Sequence, residues 1–93
     1  MSLSMNQVRF FRLLESSPYL RCFFCSKSRA YDPDGINEFL SSASHGQVVM
    51  TKFFVSLWKN QNEMSFDLFE AANALDSSNR RIIAGWLLDP FWP

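Results

Sequence analysis

Apolar residues recur along much of this chain at spacings of three and four, the period of a helix with one buried face. Phe10, Leu13 and Leu14 fall on one side of such a helix, with Arg9, Arg12 and Ser16 on the other. Ser4 and Gln7 are spaced as a capping box ahead of it, the hydroxyl and the side-chain amide each reaching a backbone N–H that the first turn leaves without a partner. Ser16-Ser17-Pro18 ends that helix, and Pro18, with its fixed φ, is placed to open the next. Residues 19–28 are the most ambiguous stretch. Tyr19, Leu20, Phe23 and Phe24 fit a helical stripe, but aromatic residues also suit a strand; a short helix is the reading adopted. Asp32-Pro33-Asp34 reads as N-cap, first-position proline and first-turn acid, so a helix is expected through Ile36, Phe39 and Leu40 to about Ala43.

The next segment carries the strongest pattern. Ser44-His45-Gly46-Gln47 is a second capping box, and Val49/Met50, Phe53/Phe54 and Leu57/Trp58 form a wide apolar stripe that Val48 and Val55 broaden. A helix apolar on most sides belongs in the centre of its domain. Residues 60–62 make a polar turn. Ser65 or Asp67 caps a further helix with Leu68, Ala71, Ala72 and Leu75 inward; Asp76 then caps a last one through Ile82, Ile83, Trp86 and Leu87, which Asp89-Pro90 stops. Every strong signal has helical period. The fold class expected is all-α, a single small orthogonal bundle of four to six short helices.

Length and composition narrow this picture. Ninety-three residues suit one domain near the lower size limit for a single core, and a hydrophobic content of 47% argues against disorder. Ten Phe and three Trp predict a core filled by rings rather than stapled by disulfides. Met1 to Ser4, ahead of Met5, read as a vector-derived extension, leaving residues 5–93 as a single helical domain. No stretch reads as a secretory leader, and the longest apolar run, residues 82–88, is far short of the ~20 residues a membrane-spanning helix needs. Two cysteines without a leader suit a reducing compartment, so the expected location is cytoplasmic, with no membrane partner.

Nine basic and nine acidic residues cancel, which removes the whole-chain signal of a nucleic-acid binder. The distribution is uneven. Residues 1–31 carry Arg9, Arg12, Arg21, Lys27 and Arg29 against Glu15 alone, and the remainder is acidic. Either the two halves attract each other across the fold, or the first presents a basic face to an acidic partner.

Gly46-Gln47, Phe53-Phe54, Leu57-Trp58, Phe66-Asp67-Leu68 and Leu75-Asp76, within residues 36–88, resemble a group of small uncharacterised bacterial proteins often encoded on plasmids and integrated elements. The resemblance covers a little over half the chain and rests mostly on core and cap positions. It implies a helical domain in a bacterial cytoplasm and carries no activity or functional residue with it.

Candidate chemistry is sparse. Cys22-Phe23-Phe24-Cys25 is a C-x-x-C, but a zinc site needs four ligands and only His45 joins the two thiols as a further soft ligand. A dithiol of thioredoxin type needs a βαβ setting that the pattern lacks. The favoured reading packs both thiols in the core as small hydrophobes, with metal binding or redox chemistry as alternatives. His45 has no accompanying nucleophile or base motif and reads as an exposed first-turn residue. Asp32, Asp34, Asp67 and Asp76 are explained by capping, and Glu38, Glu63 and Glu70 by solvated faces. No catalytic residue and no cofactor are assigned, and an enzyme is not expected.

Two patterns point to binding. Residues 72–87 resemble a helix-turn-helix in which Ser77, Ser78, Asn79 and Arg80 would face base edges and Arg81 a base or phosphate. Asp76 where the turn glycine belongs, Ser77 where an apolar residue belongs, and one extra residue before Arg80 depart from that motif; a plain helical corner packed by Ala72, Leu75, Ile82 and Ile83 explains the same spacing. At the end of the chain, Phe91 and Trp92 either fold back into the core or form an apolar patch for a partner. The reading placed first is a non-catalytic interaction or adaptor module, acting on a protein partner or by self-association. A DNA-binding regulator comes second, and a Cys22/Cys25 metal or redox protein third.

Overall fold

The computed structural model describes residues 3–25 and 30–93. Met1 and Ser2 of the expected extension, Ser28 of the ambiguous stretch, and the basic residues Lys27 and Arg29 lie outside the described residues. Among those described, the chain forms α1 (Met5–Leu14), a 3-10 helix (Pro18–Phe23), α2 (Pro33–Leu40), α3 (His45–Lys59), α4 (Leu68–Ala74) and α5 (Ser77–Leu88). The expectation of a small all-α bundle of four to six short helices holds. The described residues contain no strand, only an isolated antiparallel bridge between Phe24 and Tyr31. None of their helices is long and apolar enough to cross a membrane. The chain divides into two units, Met1–Ala43 with Pro93, and Ser44–Trp92.

In the first unit, α1 starts where its capping box requires. Ser4 Oγ accepts the Gln7 N–H at 3.1 Å, and Gln7 Oε1 accepts the Ser4 N–H at 3.0 Å. Phe10 and Leu14, four apart, are fully buried, while Leu13 is half-buried. The short helix expected over residues 19–28 is corrected in type and length. Pro18 opens a 3-10 helix that ends at Phe23, Phe24 turns extended, and the Asp32 N–H donates to the Phe23 carbonyl at 2.8 Å. The 3-10 geometry is inherently short-ranged, and ring packing supplies a competing arrangement. Phe24 meets Phe10 edge-on at 5.3 Å and stacks on Tyr31 at 6.3 Å, while Tyr19 stacks on Phe39 at 5.4 Å. Helix α2 begins as expected, with Asp32 Oδ1 accepting the Gly35 N–H at 3.0 Å and Pro33 at its first position. It stops at Leu40, short of Ala43, where the Ser41 hydroxyl donates to the Glu38 carbonyl at 2.6 Å and competes with the helical ladder.

The second unit is built on α3. The Ser44/Gln47 capping box sets its start, and Asn60 ends it in the left-handed region at φ 54°, a conformation asparagine tolerates. Its stripe is buried as expected, from Val49 and Met50 to Leu57 and Trp58, and Thr51 buries its hydroxyl by donating to the Gln47 carbonyl at 2.7 Å. Asp67, rather than Ser65, caps α4, accepting the Phe69 and Glu70 N–H groups at 2.8 and 3.4 Å. Ser65 takes a positive φ of 57° in the preceding turn. Asp76 caps α5 by accepting the Asn79 N–H at 2.9 Å.

The inward face predicted for these last two helices is only partly correct. Ala71, Leu75 and Ile83 are buried, and Ile82 and Trp86 are half-buried; Leu68, Ala72 and Leu87 are exposed. A helix of seven residues makes two turns and presents one narrow row to a core. Ala71 occupies that row in α4 and the extended residue Leu75 follows it just past the helix end, while Ala72, about 100° around from Ala71, lies outside it. The two readings of the tail divide between its two rings. Phe91 is buried and its carbonyl accepts the Trp86 indole N–H at 2.8 Å, while Trp92 is half exposed with its ring edge-on to Trp86 at 5.5 Å.

Candidate interaction surface

The incomplete burial of α4 and α5 leaves an open apolar groove of about 340 Å³ in the second unit. Phe53 and Leu57 of α3, Phe66 and Leu68, Ile83, Trp86 and Leu87 of α5, and Trp92 line it, with Ser56, Asn60, Gln61 and Asn62 as its polar members. A smaller hollow of about 190 Å³ lies between α4 and α5, among Leu68, Ala71, Ala72, Arg80, Ile83, Ala84 and Leu87. Leu68 and Leu87 belong to both. One wall is held by a polar side chain in the connecting turn. Asn62 Oδ1 accepts the Phe66 N–H at 2.6 Å and the Ser56 hydroxyl at 3.3 Å, and Asn62 Nδ2 donates to the Phe66 carbonyl at 3.1 Å. This fastening sets the Phe66 ring 5.6 Å from Phe53, and Trp86 meets the same Phe53 ring edge-on at 5.7 Å. The groove is therefore lined by rings that neighbouring contacts already position.

The most exposed large apolar side chains of the unit either line these grooves or adjoin a lining residue in sequence. Phe69 and Leu88 are 88% exposed, and Leu68, Leu87 and Trp92 about half. Of the two tail residues singled out for partner binding, Trp92 belongs to this surface and Phe91 does not, because Phe91 is buried. Sequence reasoning missed Phe69 and Leu88. The signal lay in the doublets Leu68-Phe69 and Leu87-Leu88, since successive helical residues point about 100° apart and a short helix with one buried row cannot hide both.

The remaining candidates are placed as follows. His45 is exposed at the first turn of α3 as expected, but Glu70 is no idle solvated residue: its carboxylate meets His45 Nε2 and Lys52 Nζ, each at 3.3 Å, tying α4 to α3. The hydrogen bonds from His45 and then Lys52 hold the Glu70 carboxyl below its ordinary value of 4.5. The cluster has no nucleophile and reads as a fastening. Cys22 and Cys25 are both exposed and not joined in a disulfide, which overturns their packing in the core. Residues three apart eclipse in a 3-10 helix, so the row that buries Leu20 leaves the neighbouring row of Cys22 outward. Among the described residues no three His, Cys, Asp or Glu side chains are grouped so as to hold a metal ion.

The residues of the helix-turn-helix reading lie at the start of α5. Ser77, Ser78, Arg80 and Arg81 are exposed and Asn79 is half-buried. Arg80 is engaged within the protein, its guanidinium donating to the Ala72 carbonyl at 3.3 Å and to Ser77 Oγ at 3.4 Å. It thereby satisfies a carbonyl at the end of α4, a role basic side chains often take. The Asp76 carboxylate caps the same turn and puts negative charge where a phosphate backbone would approach. In the basic half, Arg21 is exposed but likewise engaged within its own unit, donating to the Phe24 carbonyl at 3.0 Å and lying 4.6 Å over the Phe11 ring. No protein-family model, no curated protein and no solved structure matches the chain.

Proposed function

We propose that this protein is a cytoplasmic, non-catalytic interaction module that engages a protein partner through the apolar face of α4 and α5 together with Trp92. One observation carries the reading: a ring-lined groove takes in Leu68, Leu87 and Trp92, each about half exposed, and Phe69 and Leu88, next to two of them in sequence, are almost fully exposed, in a chain that buries its large apolar residues on α3. Apolar surface removed from water is worth about 25 cal/mol per Å², and contiguous patches of such side chains mark places where it is removed by association. The test is photo-crosslinking in the cells that make the protein. A photoreactive side chain at position 69 is expected to give adducts of defined mass, and the same group at Asn37, exposed on α2, none. Equal adducts from both positions, or none from position 69, contradict the reading.

A second reading is DNA binding through the start of α5, favoured by the exposure of Ser77, Ser78 and Arg81 on the first turns of a capped helix that follows a two-residue turn. Titration against mixed duplex DNA at two salt concentrations tests it. Binding that weakens with salt supports it, because phosphate contacts release counterions; no binding at low salt ends it.

A further inference from the structure

We propose that the partner on this face is a second copy of the same chain, paired about a two-fold axis with Phe69 and Leu88 near its centre. The inference rests on the interaction reading above and names its partner.

Area is the first argument. With Phe69 and Leu88 88% exposed and Leu68, Leu87 and Trp92 about half, these five side chains offer on the order of 500 Å² of apolar surface. A stable interface of standard size takes roughly 800 Å² from each partner, and in homodimers about 65% of that is apolar. Together these side chains match the apolar share of one half of a standard homodimer interface.

Charge is the second. The chain has a formal net charge of +0, so two copies meet without overall repulsion. Two-fold pairing sets a face against itself, and any unpaired charge on it meets its own like. The lining of the larger groove contains no charged residue. The smaller hollow has only Arg80, already donating to Ala72 and Ser77.

Shape is the third. A two-fold interface must carry projection and recess on the same patch. Phe69 is a large projecting ring on the first turn of α4, next in sequence to Leu68, which lines both recesses.

Sedimentation velocity over a wide range of protein concentration tests the pairing, with far-UV circular dichroism to confirm folding. The wild type is expected to pass from monomer to dimer. Each contact residue occurs twice in the dimer, so a roughly 30-fold loss per anchor becomes a loss of roughly 1,000-fold in dimer affinity for Phe69→Ala. Leu88→Ala weakens the dimer in the same direction. Met5→Ala, which removes an exposed apolar side chain from α1, leaves it unchanged. A dimer indifferent to both Phe69→Ala and Leu88→Ala overturns the proposal. A monomer at every concentration that still gives position-69 adducts with other proteins overturns self-pairing and leaves the interaction reading standing; a monomer with no adducts overturns both.

Discussion

Phe54 and Phe69 are the same residue in opposite surroundings, and their substitutions should differ accordingly. Phe54 lies fully buried in α3, with its ring edge-on to Phe53 at 5.2 Å. Phe54→Leu removes ring atoms and leaves a small cavity without adding a polar group, a change that costs about 1–2 kcal/mol. For a domain of this size each kcal/mol moves the melting midpoint by about 4–8 °C, so Tm should fall by about 5–15 °C. Phe69 is 88% exposed, so Phe69→Ala gives up almost no buried area. Alanine is also the better helix former by a few tenths of a kcal/mol, and Tm should stay within about 2 °C. Circular dichroism melts at dilute protein isolate this contrast, because association stabilises the folded state by mass action. At high concentration the wild-type midpoint should rise while that of Phe69→Ala does not. Equal losses for the two variants at dilution would refute the assignment of Phe54 to the core and Phe69 to the surface.

Two glycines make a second contrast. A Cβ at Gly35 would overlap the Asp32 carboxylate and stand 3.0 Å from the Phe23 ring, so Gly35→Ala should cost the cap of α2, about 1 kcal/mol, read as a lower Tm. A Cβ at Gly85 meets no heavy atom within 4 Å, and Gly85→Ala should stabilise by about 0.5–1 kcal/mol through helix propensity; a lower Tm would contradict this. For Glu70, the folded-state value is depressed, so its contribution is fully present above 4.5 and is lost as pH falls through the folded value. The urea midpoint of the wild type should exceed that of Glu70→Gln at neutral pH, and the gap should close on acidification below 4.5; a gap constant with pH would remove the pairing with His45 and Lys52 as its cause.

What could be read from the sequence was what local chemistry decides. The Ser4/Gln7 and Ser44/Gln47 boxes and the Asp32 and Asp76 caps join groups three residues apart, so their spacing alone announces them. Helix α3 was legible because its stripe is wide enough to demand burial whatever packs on it. Elsewhere the outcome depended on distant partners. Leu68 and Leu87 fit an inward stripe, yet only the packing of neighbouring elements decides whether a short helix is covered. Aromatics at positions 23 and 24 suited helix and strand alike, and the bridge from Phe24 to Tyr31 closed the choice through a contact outside the helical window. Glu70 looked like a solvated face because His45 lies 25 residues away. The candidate surface was therefore foreseen only at Trp92; Phe69 and Leu88 became visible once burial was known.

Amide hydrogen exchange resolved by segment, and compared between dilute and concentrated protein, examines the interaction surface in the intact chain. Protection is expected to rise with concentration in α4 and α5, at residues 68–74 and 77–88, and to stay constant in α1, at residues 5–14. Unchanged exchange in α4 and α5 at every concentration, or a gain confined to α1, would contradict the pairing of two copies through this face.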